Sequence, residues 1–336
     1  MEEKHYDAID GLRMIACFGI VMMHVRASCS YDLSGFIYDK VISSFTNFVF
    51  LFMTVSAFGM CCGYYRKIIN NQLSLSYFYG KRFKKILPFF GFLVLLDFIL
   101  APSVDALYEV FANLTLMFGF LPNAGNITVI GVGWFLGLIF VFYICFPFFC
   151  TLIENKRRAW IAFAISLIYN FVGFSYFNIE RTNILYSGCF FLVGGLIYLY
   201  RNEIEKINRW VGLSVVAVSV ILYYTVGGNV WMRLLVSTVL LIYAVICANS
   251  GISQKATLLQ NNVTKFFSSI SMEIYLSHMV IFRVIEKLGL NKAVGNGWVQ
   301  YFVTVVLVLA GTTLFAVVMQ RLIGVINNGI EAMVKR

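Results

Sequence analysis

Arg13 and His24 stand eleven residues apart, and the run between them, from Met14 to Met23, is entirely apolar. On a helix, about 100° and 1.5 Å per residue leave two such side chains within about 20° of one face and about 16 Å apart along the axis. A fixed cation with an imidazole farther along suits an anionic ligand that enters at the arginine and meets a proton acceptor at its reactive end. The plainer alternative is an arginine that marks an interface and a histidine that hydrogen-bonds a neighbouring helix. Arg26 points away from this face and can snorkel towards the outer surface.

A second cluster is basic. Between Arg66 and Lys85 lie six cations (Arg66, Lys67, Lys81, Arg82, Lys84 and Lys85) and no acid. Such a loop can signal topology, contact anionic lipid or hold the phosphates of a nucleotide cofactor. Later in the chain, Ser269, Glu273 and Ser277 recur at helical spacing, and Tyr275 and His278 share a face at i and i+3. Polar contact between helices is the bland account of this segment. Asp97 is a further acid in an apolar run, and Gly133-Trp134-Phe135-Leu136, with Tyr143 and Pro147 beyond, reads as an interfacial aromatic anchor on a kinked helix. The 8 cysteines form no CxxC pair and have no histidine beside them, so they read as small buried apolar residues and not as metal ligands.

The elements that must position these residues follow from composition. The chain has 336 residues, 60% hydrophobic and 12% charged, with mean hydropathy +0.82. A soluble domain carries about 25% charge, so a water-soluble enzyme is excluded, as are a disordered chain and a collagen-like fibre. Continuous apolar runs, in place of the alternation a β-barrel needs, predict an all-α polytopic membrane protein. Ten spans are expected, over 11–29, 41–64, 86–101, 132–153, 159–177, 183–200, 210–227, 231–249, 267–286 and 298–325. The stretch 107–121 is too short to cross and is expected to be a re-entrant or surface helix. With the N-terminus inside, 19 lysines and arginines fall in inner segments and 5 in outer ones, which predicts cytoplasmic termini and a cell-membrane location. The same loop placement accounts for the net charge of +10 without nucleic acid. The acidic N-terminal segment does not read as a secretory signal, and 1–336 is expected to be one membrane-embedded domain without a soluble outer domain.

In order along the chain, several motifs resemble those of the acyltransferase-3 family of integral membrane acyltransferases. Asp10-x-Leu-Arg13 followed by His24 is similar to the family's Arg-x10-His signature. Lys81-Arg82-Phe-Lys84-Lys85-Ile-Leu-Pro88 resembles its basic stretch before the third helix. Trp134-Phe135-Leu136 with Tyr143 and Pro147, Phe191-Leu-Val-Gly194-Gly195, and Glu273-Ile-Tyr-Leu-Ser-His278 are similar to three later segments. The resemblance covers nearly the whole chain. It implies acyl-CoA, acetyl-CoA by preference, as cytoplasmic donor and a carbohydrate or other envelope hydroxyl as acceptor at the opposite face. It assigns catalysis to His24 with Arg13, donor binding to Arg13, Arg82 and Lys85, and substrate-site or supporting roles to Trp134, Tyr143, Glu273 and His278. Three positions depart from the family pattern. Lys85 stands where arginine is frequent, and offers a point charge instead of a bidentate grip. Ser56-Ala57-Phe58 replaces a Ser-Gly pair, and Gly137-Leu138-Ile139 stands where many members have a glutamate.

On these residues, neutral His24 would take the proton of an acceptor hydroxyl as it attacks the thioester, with a covalent acyl-histidine as the other route. Two rivals use the same features. A transporter or flippase of an envelope precursor also needs buried Arg, His, Asp and Glu, although no internal repeat is visible. A membrane sensor or assembly subunit could keep the fold without the chemistry.

Overall fold

The computed structural model describes residues 5–122, 124–248 and 259–334; Lys4, Lys255, Lys335 and Arg336 of the inner charge set lie outside the described residues. Twelve helices matter for the site: α1 (Asp7–Ser28), α2 (Phe36–Ile69, with π and 3-10 turns at its ends), α3 (Leu75–Leu100), α4 (Val104–Thr115), α5 (Trp134–Ile153), α6 (Lys156–Ser175), α7 (Ile184–Leu199), α8 (Arg209–Val226), α9 (Val230–Cys247), α10 (Asn262–Ser269), α11 (Ser271–Lys287) and α12 (Trp298–Val334). Among the described residues there is no β-strand.

Among the described residues seven helices are long and apolar enough to cross a membrane: α1, α2, the segment Gly131–Ile153 containing α5, α6, α8, α9 and the Trp298–Ile326 part of α12. The other three expected spans fall on helices that carry charge or are short. α3 holds Lys84, Lys85 and Asp97, α11 holds Glu273 and Arg283 within 17 residues, and α7 has 16 residues. Of the stretch 107–121, the part to Thr115 lies on α4, which at 12 residues is about 18 Å long and does not reach across the hydrocarbon, and a 3-10 turn over Phe118–Phe120 follows.

Apolar surface points outward. Only 11% of the apolar stretch of α8 and 17% of that of α6 is buried, against 61% for α1. Such a surface is stable against lipid tails and not against water. α1 is the central strut, packed on α2, α9, α10, α11 and α12. α7 lies against α2 so closely that a Cβ on Gly194 would run into the Thr54 carbonyl, which gives the Phe191-x-x-Gly194 motif its physical reason.

Helix starts are set locally. Five successive helices, α6 to α10, begin with an asparagine whose side chain accepts from backbone N–H groups of the first turn: Asn155, Asn183, Asn208, Asn229 and Asn261. Three expectations are corrected. The basic stretch 81–85 is not loop: α3 begins at Leu75, so Arg82 and Lys85 share a helical face at i and i+3. The span expected over 267–286 is broken at Ile270, so Ser269 and Glu273 belong to different helices. Cys145 is exposed on the apolar surface, while Cys17, Cys61, Cys150 and Cys189 are buried as expected.

Candidate active site

One cavity collects the basic residues. It is lined by Arg13 of α1, Arg82 and Lys85 of α3, Tyr143 of α5 and Glu273 of α11, with Ser56, Ser268, Ser269 and Ser271 on its walls. Arg82 is held by its neighbours. Its guanidinium lies 4.7 Å from the Tyr64 ring centroid, 5.5 Å from Tyr143 and 5.8 Å from Phe78, and it donates to the Tyr64 hydroxyl. Its Nε is buried and has no hydrogen-bond partner among the described residues. A buried donor of this kind costs free energy unless a ligand meets it. Arg13 lies 3.8 Å from Asp10, whose carboxylate also accepts from Ser268 Oγ at 2.6 Å. Glu273 accepts from Gln320 of α12 at 2.9 Å. Three cations therefore face one carboxylate across the cavity, an environment for a polyanion.

His24 lies elsewhere. It lines a second cavity near the other end of α1, with Asp97, Thr128, Ile130, Gly131, Val132, Met279 and Arg283. Its ring faces that of His278, with centroids 4.7 Å apart and planes at 55°. Both rings spend Nδ1 on their own helices: His24 Nδ1 lies 3.0 Å from the Ile20 carbonyl and His278 Nδ1 lies 2.6 Å from the Tyr275 carbonyl. A carbonyl only accepts, so in each neutral ring the proton sits on Nδ1 and the lone pair on Nε2. That is the tautomer a proton-abstracting base needs. His278 is 1% exposed and its Nε2 has no hydrogen-bond partner among the described residues. Among the described residues no carboxylate bonds His24.

A septum separates the two cavities. Leu276 lines both. The hydroxyl of Tyr275, on the wall of the first, donates to the Val132 carbonyl at 2.7 Å, on the wall of the second. The strip Thr128–Val132 is clamped by two further acids. Glu109 Oε2 accepts from Thr128 N and Val129 N, both at 2.8 Å. Asp97 Oδ2 accepts from Ile130 N at 3.2 Å, while its Oδ1 takes Arg283 at 3.0 Å. Ile130 is thereby held at φ +51°, a strained conformation for a β-branched residue.

The sequence expectations divide accordingly. Arg13, Arg82, Lys85, Tyr143 and Glu273 meet in one cavity, and His24 meets His278 beyond it. The open path expected from Arg13 to His24 is interrupted by Tyr275 and Leu276. Trp134 lies in neither cavity: its ring carries the Arg181 guanidinium at 5.3 Å, while the next two residues, Phe135 and Leu136, line the first. Gly137, where the family often has glutamate, is closed off, since a Cβ there would lie 2.6 Å from the Phe118 ring. Gln320, Glu109 and the Asp97–Arg283 pair were not singled out as parts of a site, because each acts through a contact distant in sequence. His5, Asp7 and Asp10 come close enough to share an ion, but Asp7 is engaged by Lys265 at 3.0 Å and Asp10 by Ser268.

These cavities lie within a recognisable family domain. A family model described as an acyltransferase domain, acyltransferase-3, matches residues 6–319. The chain belongs to that family and is a membrane acyltransferase. Neither a curated protein nor a solved structure matches it.

Proposed function

We propose that the protein moves an acyl group, acetyl by preference, from cytoplasmic acyl-CoA to a hydroxyl of an envelope or surface saccharide, in the cell membrane with both termini in the cytoplasm. The observation that carries this reading is the basic cavity, where Arg13 and Lys85 converge with Arg82 and its buried, unpaired Nε. The phosphates of coenzyme A are the polyanion it suits. The pantetheine arm then points towards His24, about 16 Å along α1 from Arg13.

The step balances within the site. The acceptor hydroxyl gives its proton to His24 Nε2 and its oxygen forms a bond to the thioester carbonyl carbon. The C–S bond breaks, and the leaving thiolate takes the proton back from His24. His24 Nδ1–H on the Ile20 carbonyl keeps the ring in the orientation this requires. The septum of Tyr275 and Leu276 must shift for thioester and hydroxyl to meet, and while closed it keeps acceptor-side water from the donor.

Purified protein titrated with acetyl-CoA tests the reading. Arg82→Ala with Lys85→Ala weakens binding, most at low ionic strength, where charge attraction is least screened. Unchanged affinity in folded protein would return the cluster to a topology signal. Envelope saccharide moved across vesicles without consumption of acetyl-CoA would favour the transporter.

A further inference from the structure

A groove that shares no lining residue with either cavity lies between α1, α2, α8 and α9, and its polar residues are concentrated towards the end where α9 begins. Its polar end sits where α9 begins, with Arg233, Tyr223 and Asn47. Beyond Ser237 on α9 the lining is apolar. Leu240 lies seven residues into α9 from Arg233, about 10 Å deeper; Leu51 follows Asn47 on α2, and Leu12 lies in the first half of α1. The one charge, Arg233, thus lies towards the His24 end of the bundle, and the lining becomes apolar away from it.

The polar end has donors and lacks a counter-charge. Arg233 Nε donates to the Gly228 carbonyl at 2.9 Å and one terminal nitrogen donates to Tyr186 Oη at 3.3 Å, which fixes the guanidinium inward. Among the described residues no carboxylate lies within ion-pair distance of it. Tyr223 Oη accepts from Asn47 Nδ2 at 2.8 Å and keeps its own proton for a ligand. An arginine in a spanning helix without a carboxylate calls for an anion, and a phosphate oxygen is its ordinary partner.

We propose that this groove holds one acyl chain of an anionic phospholipid from the leaflet at the His24 end, with the lipid phosphate on Arg233 and the Tyr223 hydroxyl. The depth order of the lining is that of a lipid, head outward and tail inward. A soluble anion would use Arg233 but not the hydrocarbon below it. The site is independent of the acyl-transfer reading, because it touches neither cavity.

Thermal unfolding of detergent-purified protein, with dioleoylphosphatidylglycerol or dioleoylphosphatidylcholine added at equal mole fraction, tests it. A ligand that binds only the folded state raises the unfolding midpoint. The glycerol lipid is expected to raise it by several degrees more than the choline lipid. Arg233→Gln is expected to abolish that difference and keep the choline-lipid response. Val220→Trp, at the exposed rim three residues deeper than Tyr223, is expected to fill the groove and abolish both responses with Arg233 intact. Should Arg233→Gln fail to fold, Val220→Trp decides alone. Equal midpoints in the two lipids, or a preference that survives both substitutions, would overturn the site. A larger rise with undecaprenyl phosphate would overturn the phospholipid assignment, and dimerisation on delipidation would assign the groove to a second copy.

Discussion

At the scale of single residues, the proposed chemistry turns on two imidazoles that differ in access. His24 is half-buried on a cavity wall, while His278 stands behind it, sealed from both cavities. In the proposed mechanism His24 is the ring that meets the acceptor proton, so His24→Gln, which keeps a hydrogen bond but takes up no proton at neutral pH, is expected to lower transfer about 10²–10⁴-fold. Acetyl-CoA binding to the same purified variant should hold, because the cations lie in the other cavity. Transfer at near wild-type rate would make His24 a structural contact. In the same proposed mechanism His278 acts through His24, as the ring packed against it that limits how the base can turn. His278→Ala leaves room for His24 to rotate, and misplacement by about 1 Å costs on the order of 10²-fold. A fall in kcat with acetyl-CoA affinity unchanged is the expected result, and His278→Phe, which restores the packing, should recover part of it. If His278→Phe were as impaired as His278→Ala, the ring nitrogens would matter and not the volume. The shared face of Arg13 and His24 was legible from spacing alone, since α-helical geometry is regular. The pairing of His24 with His278 was not, because it depends on how α11 docks against α1.

Elements account for both the successes and the misses of reading the chain. Asparagine caps at 155, 183, 208, 229 and 261 are local signals, each worth about 1 kcal/mol, and the first four open helices where apolar runs predicted spans, while Asn261 opens the short α10 ahead of the expected span 267–286. The basic stretch 81–85 misled because a cluster of cations looks like a loop. It forms the early turns of α3 because straight-chain lysine and arginine are good helix formers and Pro88 is tolerated further in. The break at Ile270 was equally hidden: no Gly or Pro marks it. The α2–α7 contact is where sequence and packing agree most directly. Gly194 is needed because helix meets backbone there, so Gly194→Ala is expected to destabilise the fold by about 1–3 kcal/mol, the usual cost of overpacking. Unfolding of the variant in detergent, monitored by circular dichroism, should show a lower midpoint. An unchanged midpoint would mean that α7 can slide away from Thr54 at little cost.

Across the whole molecule, the proposed site is split between the two ends of a bundle, and this makes orientation a functional question. The cations Arg13, Arg82 and Lys85 gather at the end where α1 begins, and His24 with the Asp97–Arg283 pair lies towards the end where it finishes. Composition made the membrane legible, because a chain with 12% charge cannot cover itself for water. It was less informative for α3 and α11, whose charges belong to the site itself and interrupt the hydropathy that marks a span. If acyl-CoA is the donor, the Arg13 end must face the cytoplasm, since coenzyme A is charged and does not cross the bilayer core unaided. Two exposed positions report on the two ends. Gln72 lies in the short turn before α3, and Asp105 in the first turn of α4, past the other end of α3. In intact cells, a cysteine at Gln72 should stay unlabelled by a membrane-impermeant maleimide and become labelled after permeabilisation. A cysteine at Asp105 should be labelled at once, with the parent protein as the baseline for its native cysteines. Labelling at Gln72 and protection at Asp105 would put the basic cavity on the outer face, where no acyl-CoA is available. The donor assignment would then fail even if the cavity bound coenzyme A in detergent.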